Sequence, residues 1–203
     1  MAANREFFYR RLHSLLGVIP IGIFLLQHLT VNHFATGGAE SFNKAADFMG
    51  NLPFRYVLET FVIFLPILFH AIYGLYIAFT AKNNVSRFGT FRNWMFLIQR
   101  ITGVITLIFI AWHVWETRLA YAIYGTEVNF QMMQDILSSP IMFAFYVIGI
   151  ISAIFHFSNG LWSFLVTWGI AQTPRSQKII TYVTMIIFLA LSFVGVQTLV
   201  AFV

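Results

Sequence analysis

Cysteine is missing from all 203 residues, which removes disulfides, thiolate-held iron–sulfur clusters and the Cys-x-x-Cys-His attachment of covalent haem. Charge is nearly as scarce. Asp, Glu, Lys and Arg make up 9% of the chain, against about 25% in a soluble globular domain. No removable leader is expected either: MAANREFFYRRLHS carries arginines but runs into a long apolar stretch with no small-residue cleavage pattern. The first span is therefore expected to act as its own insertion signal.

What is present is apolar. Hydrophobic residues supply 59% of the sequence, and five stretches are each long enough to cross a hydrocarbon core of about 30 Å, which takes about 20 helical residues. They fall near 12–35, 54–81, 93–121, 139–170 and 178–202. The reading is an all-α integral membrane protein of one transmembrane domain, 1–203, with its third and fourth spans long enough to tilt or project beyond the lipid. Basic residues orient it, because Lys and Arg near span ends are retained on the cytoplasmic side. With the N-terminus inside, Arg5, Arg10, Arg11, Lys82, Arg87, Arg92, Arg100, Arg175 and Lys178 lie inside, with Glu6 as the one acid. Lys44, Arg55 and Arg118 then lie outside with Glu40, Asp47, Glu59, Glu116, Glu127 and Asp135. The expected topology is N-in, C-out, and the net charge of +5 is a topology signal that gives no support to nucleic-acid binding.

The chain repeats itself. FHAIYGLY (69–76) has a twin in FHFSNGLW (155–162), and LLGVIPIGIFLLQH (15–28) resembles ITGVITLIFIAWH (101–113), although the glycine spacing differs by one. His28 and His113 are 85 residues apart and His70 and His156 are 86 apart, so spans one and two are repeated as spans three and four, with span five outside the repeat. Counting about 1.5 Å per residue from the span ends puts His70 and His156 level with each other toward the cytoplasmic side. His28 and His113 form a second layer roughly 10 to 15 Å nearer the outside.

Two facing imidazoles in lipid suit a hydrogen-bonded pair, a proton relay, a sparse metal site or the axial positions of a haem. A lone intramembrane histidine is as often a satisfied polar group at a helix interface, but four in a duplicated pattern point to a ligand role. Zinc or copper takes three or four clustered ligands, and each layer offers two. Haem takes two axial ligands. Gly74 and Gly160, one turn from their histidines, leave room for a flat macrocycle. Ser14 and Gly17 lie fourteen and eleven residues before His28, and Gln99 and Thr102 at the same offsets before His113, so small or polar residues are expected beside the inner layer. Ordinary helix packing explains any single glycine equally well.

NREFFYRRLHSLLGVIP, LLQH, LPFRYVLE, FHAIYG, AFTAKNN, LIQRITG, WHVWET and FHFSNGLWSF, in this order and spacing, resemble the cytochrome b membrane-anchor subunits of succinate:menaquinone reductases of Gram-positive bacilli. The likeness covers essentially the whole chain. It implies a five-helix dihaem subunit of the bacterial cell membrane, docked on the cytoplasmic side to a flavoprotein and an iron–sulfur subunit. By the same resemblance, succinate is oxidised on the flavin, and electrons pass through the iron–sulfur clusters, the inner haem b and the outer haem b to menaquinone. It assigns His28 and His113 to the low-potential haem and His70 and His156 to the high-potential one.

Around these ligands, Arg10, Arg11, Ser14 and Arg100 are expected near the inner propionates, and His13 as an interfacial propionate or subunit contact. His33 is expected to be a loop or headgroup residue, with an outer-propionate contact as the alternative. Glu59 precedes His70 by eleven residues, so on a straight helix it shares that face at the outer layer's depth. It is a candidate for proton delivery to menaquinone, against a simple pairing with Arg55. Trp112, Glu116 and Arg118 are weaker candidates for the same site. Two other classes stay open. A histidine-relay channel or transporter would use Pro20 and Pro66 as helix breaks, although the charges avoid the membrane centre and the duplication is parallel. A dihaem anchor of a fumarate reductase, formate dehydrogenase or hydrogenase would share the ligand logic, and only the motifs separate it.

Overall fold

The structure, a computed structural model, describes residues 2–203, with side chains from Asn4 onward. Among these residues all the regular structure is helical, without a strand. Five helical segments are long and apolar enough to cross a membrane: Asn4–Gly37, Arg55–Thr80, Phe91–Tyr124, Pro140–Thr167 and Pro174–Val200. Large apolar side chains stand exposed on every one of them, among them Phe61, Phe79, Ile108, Ile141 and Phe193. Such a surface is stable only against lipid, so the chain is a multi-pass protein of the membrane.

Local chemistry sets the helix ends. Pro140 and Pro174 open spans four and five, at the first helical position where a missing N–H costs nothing. Thr90 accepts from Asn93 N at the start of span three, and Thr173 with Ser176 forms a capping box before span five. Span one begins earlier than its sequence pattern suggests. Arginine is a good helix former, and the Arg10 guanidinium meets Glu6 at 2.7 Å one turn away, so the helix runs back through the charged segment. At residue 19 this helix is interrupted before Pro20 and resumes as Pro20–His33.

Span four is the centre of the bundle, packing along span three on one side and span five on the other, with span one against both spans two and four. Span five also lies along Pro20–His33. At the end where the chain starts, the Arg92 guanidinium sits 3.9 Å from the Trp162 ring and donates to Thr181 Oγ1 at 2.8 Å, tying spans three, four and five together.

Two short helices, Ala39–Gly50 and Phe130–Leu137, close the opposite end. Each follows the first span of its repeat half. They meet where Phe130 N donates to Asn43 Oδ1 at 2.8 Å, and the rings of Phe42 and Phe130 lie 5.1 and 4.9 Å from that of Phe202. Here lies most of the buried core, with Ala35, Phe42, Leu137, Tyr146 and Phe202 all nearly inaccessible.

Spans two and three each contain a π-helical segment near this end, Glu59–Phe64 and Trp115–Leu119. A π turn inserts a residue, which rotates what lies beyond it by about 100° relative to a straight α-helix. The straight-helix projection that puts Glu59 on the His70 face therefore fails.

Candidate functional site

The bundle brings the four histidines of the repeat together in two pairs. The imidazole centres of His70 and His156 are 6.1 Å apart, and those of His28 and His113 are 5.8 Å apart. Two imidazoles on opposite sides of one metal, each bonded at about 2.0 Å, have ring centres roughly 6 Å apart. Both pairs meet that requirement.

Their hydrogen bonds decide which nitrogen is free. His70 Nδ1 lies 3.0 Å from the backbone carbonyl of His13, and His156 Nδ1 lies 3.0 Å from that of Gln99. A carbonyl only accepts, so both Nδ1 atoms carry the proton and both Nε2 atoms keep a lone pair. His113 Nδ1 lies 3.3 Å from Tyr146 Oη, whose own proton goes to Glu116 Oε2 at 3.0 Å. The phenol oxygen therefore accepts from His113, and again Nε2 is left free. Orientation of a ligating histidine through its second nitrogen is the usual arrangement at metal centres.

The hydrogen bonds reveal the register of the duplication. In each half the supporting carbonyl belongs to the residue 57 positions before the histidine. Gly17 and Gly103, each four residues after the supporting residue, face the same rings. A Cβ at Gly17 would come within 2.5 Å of His70 Cε1, and one at Gly103 within 2.8 Å of His156 Cε1. His13 and Gln99, Gly17 and Gly103, and Gly74 and Gly160 are all 86 apart, as His70 and His156 are. The pairing of Ser14 with Gln99 and of Gly17 with Thr102, taken from the 85-residue offset of His28 and His113, is corrected accordingly. Span one gains one residue between Gly17 and His28, the stretch that holds the break before Pro20.

Gly74 and Gly160 are covered by protein. A Cβ at Gly74 would sit 3.1 Å from His13 Nε2, and one at Gly160 would sit 3.3 Å from Gln99 Nε2. The His13 ring stacks on that of His70 with centres 3.9 Å apart. Gln99 Nε2 donates to the His156 carbonyl at 2.9 Å, and its Oε1 accepts from Asn159 Nδ2 at 2.7 Å. Thr102 is buried with its hydroxyl on the Ile98 carbonyl of its own helix, 2.8 Å away.

Of the expected cations, Arg100 stands in the span-two/span-three contact. It donates to the Ala81 carbonyl at 2.7 Å, while its buried second terminal nitrogen has no hydrogen-bond partner among the described residues. A buried guanidinium N–H without a partner suits an anionic group such as a propionate. Arg11 instead lies over the rings of Phe7 and Trp168, at 5.0 and 5.1 Å, and Arg10 pairs with Glu6. His33 is no loop residue. It ends the helix Pro20–His33 and its Nδ1 lies 3.2 Å from Thr198 Oγ1, because span five packs against that end of span one.

At the other end Glu59 sits between two arginines. Arg118 reaches its carboxylate at 2.7 Å from span three, and Arg55 at 3.6 Å from its own span. The rings of Tyr56 and Tyr121 lie within 6 Å of both guanidiniums. The two π segments supply both partners of the Arg118 ion pair. Trp112 is half-exposed and edge-on to Phe145. Sequence reasoning missed Gly103, legible once the register is 86, and Tyr146, which carries no repeat signal.

The model of the succinate dehydrogenase/fumarate reductase transmembrane subunit family matches residues 80–196. The succinate dehydrogenase cytochrome b558 subunit of Bacillus subtilis (strain 168) is 68% identical over 203 residues, which is the whole of both chains.

Proposed function

The chain belongs to the succinate dehydrogenase/fumarate reductase transmembrane-subunit family, and on that premise we propose that its histidines hold two haems b in a succinate dehydrogenase that reduces menaquinone. As a cytochrome b membrane anchor it is the electron-transfer subunit of the enzyme complex, while succinate oxidation belongs to a partner subunit. The observation that carries the dihaem reading is the pair of imidazole distances, 6.1 and 5.8 Å. His70 and His156 hold one haem and His28 and His113 the other, with Nε2 the free nitrogen on His70, His156 and His113. Bound there, haem b supplies one-electron carriage at two depths between the partner subunits and the quinone.

The residues around the pairs orient and shield. The carbonyls of His13 and Gln99 aim the rings of His70 and His156, and Gly17 and Gly103 admit those rings against the neighbouring helices. Arg100, with a buried terminal nitrogen unpartnered among the described residues, faces the propionates. The end carrying Arg5, Arg10, Arg11, Arg87, Arg92, Arg175 and Lys178 lies in the cytoplasm, where a flavoprotein and an iron–sulfur subunit dock. Haem b per chain, measured by pyridine haemochrome on the purified complex, is expected to be two. A value near zero in correctly folded complex would overturn the reading in favour of a histidine proton relay.

Menaquinone is reduced at the opposite end, beside Glu59. Next to the Arg55–Glu59–Arg118 cluster an open groove of about 420 Å³ is lined by Leu52, Phe54, Arg55 and Tyr56, within the usual size range of small-molecule sites. Glu59 passes a proton to the quinone there. Glu59→Gln keeps the shape and removes the transferable proton, so quinone reduction should fall by about 100-fold with an altered pH profile. An unchanged profile would leave Glu59 as the structural partner of Arg118. Electrons crossing from the cytoplasmic end to this one move with the membrane potential, gaining about 2.3 kcal/mol each per 100 mV.

A further inference from the structure

The two histidine layers differ in what holds their rings. His70 and His156 donate to backbone carbonyls, whereas His113 donates to a phenol that donates onward to a carboxyl oxygen. Tyr146 belongs to span four, its side chain is almost wholly buried, and it joins His113 and Glu116 of span three. The first half of the repeat has nothing to match. Subtracting the 86-residue offset puts Thr60 at the position of Tyr146, and subtracting 85 puts Val31 at that of Glu116.

We infer that Tyr146 and Glu116 are positioning residues that set the reduction potential of the centre ligated by His28 and His113. The inference rests on the dihaem reading above. A phenol whose proton is drawn toward a carboxyl oxygen is a stronger acceptor than a free phenol, because chained hydrogen bonds polarise one another in a low dielectric. The stronger the acceptor at Nδ1, the more electron density Nε2 offers its iron. An electron-rich imidazole favours ferric over ferrous iron and lowers the potential. A backbone carbonyl is a neutral, unassisted acceptor, so the His70/His156 centre lacks this pull. The chain thus makes two bis-histidine centres unequal with one tyrosine and one acid.

The test is a redox titration of the purified holo-complex, read optically, with haem b counted first. Fewer than two haems in the unaltered complex removes the dihaem reading and the inference with it. With two present, Tyr146→Phe keeps the ring and deletes the relay oxygen. The potential of the His28/His113 haem is expected to rise, its ferric-to-ferrous ratio at a fixed poise falling about tenfold, which is 59 mV for one electron. The other haem serves as the internal control and stays where it was. Glu116→Gln, which keeps an acceptor for the phenol but removes the charge, should shift the same haem in the same direction by less. A potential unchanged in Tyr146→Phe overturns the inference, as does an equal shift of both haems. If Tyr146→Phe fails to retain the haem, the decision passes to Glu116→Gln, where an unchanged potential overturns the inference and a rise supports it.

Discussion

On the dihaem proposal, complex carrying His156→Ala is expected to hold one haem b per chain against two in the unaltered complex, and His70→Ala to lose that same haem. Replacing both should cost no more than replacing either if, as proposed, the two rings, 6.1 Å apart, serve one iron. Combining His156→Ala with His28→Ala, one from each layer, should leave none. This non-additive pattern follows from the layering, because residues that act as one unit lose their effect together. Pyridine haemochrome per chain reads it directly. If His70→Ala with His156→Ala removed both haems, or if His156→Ala with His28→Ala removed only one, the pairing of the ligands would be wrong. Alanine leaves the supporting carbonyls of His13 and Gln99 in place, so the helices keep their contacts and the haem count reports ligation.

How the sequence announced this site, and where it fell silent, follows from what each interaction needs. The histidine pairs were legible because duplication leaves a numerical trace, and an imidazole in an apolar run is conspicuous. His13 and Gln99 support the rings through their backbone oxygens, a role that leaves no mark on residue type. Gly103 was hidden by a one-residue difference between the halves, which lies in the interrupted segment around Pro20. Five apolar spans could be counted from hydropathy, yet the helices at 39–50 and 130–137 could not, since they bury only one face against each other and Phe202. On a straight helix Glu59 shares the His70 face as a proton-delivery candidate, with pairing to Arg55 as the alternative, and the structure keeps Arg55 at 3.6 Å. The π segments at 59–64 and 115–119 bring Glu59 to Arg118, and no propensity scale anticipates an inserted residue.

The charged cluster at that end also bears on how the complex is driven. Where menaquinone takes its electrons near Glu59 and the partner subunits dock at the other end, each electron crosses the membrane in the direction favoured by a potential positive outside. Collapsing the potential with an uncoupler is then expected to slow succinate oxidation in intact cells. An unaffected rate would move quinone reduction to the cytoplasmic end, leaving Glu59 and Arg118 as a lock between spans two and three.

Gly17→Ala and Gly103→Ala form the second large expectation, because a helix argument and a packing argument give it opposite signs. Alanine in a helix interior is favoured over glycine by about 1 kcal/mol. Overpacking costs about 1–3 kcal/mol, and here the new methyl would fall 2.5 Å from His70 Cε1 or 2.8 Å from His156 Cε1. Neither ring retreats freely, since its Nδ1 is held at 3.0 Å by the carbonyl of His13 or Gln99. Moving the ring breaks that bond and displaces Nε2 from the place where it would hold the proposed haem. Packing should therefore win, and each substitution should lower haem content from two toward one per chain. The loss should fall on the His70/His156 centre alone. Gly89→Ala is the control, its nearest neighbour being 3.7 Å from the added carbon, and it should retain both haems. Full haem content with unchanged potentials in both variants would show that the rings have slack, so that the glycines serve only the approach of one helix to the next.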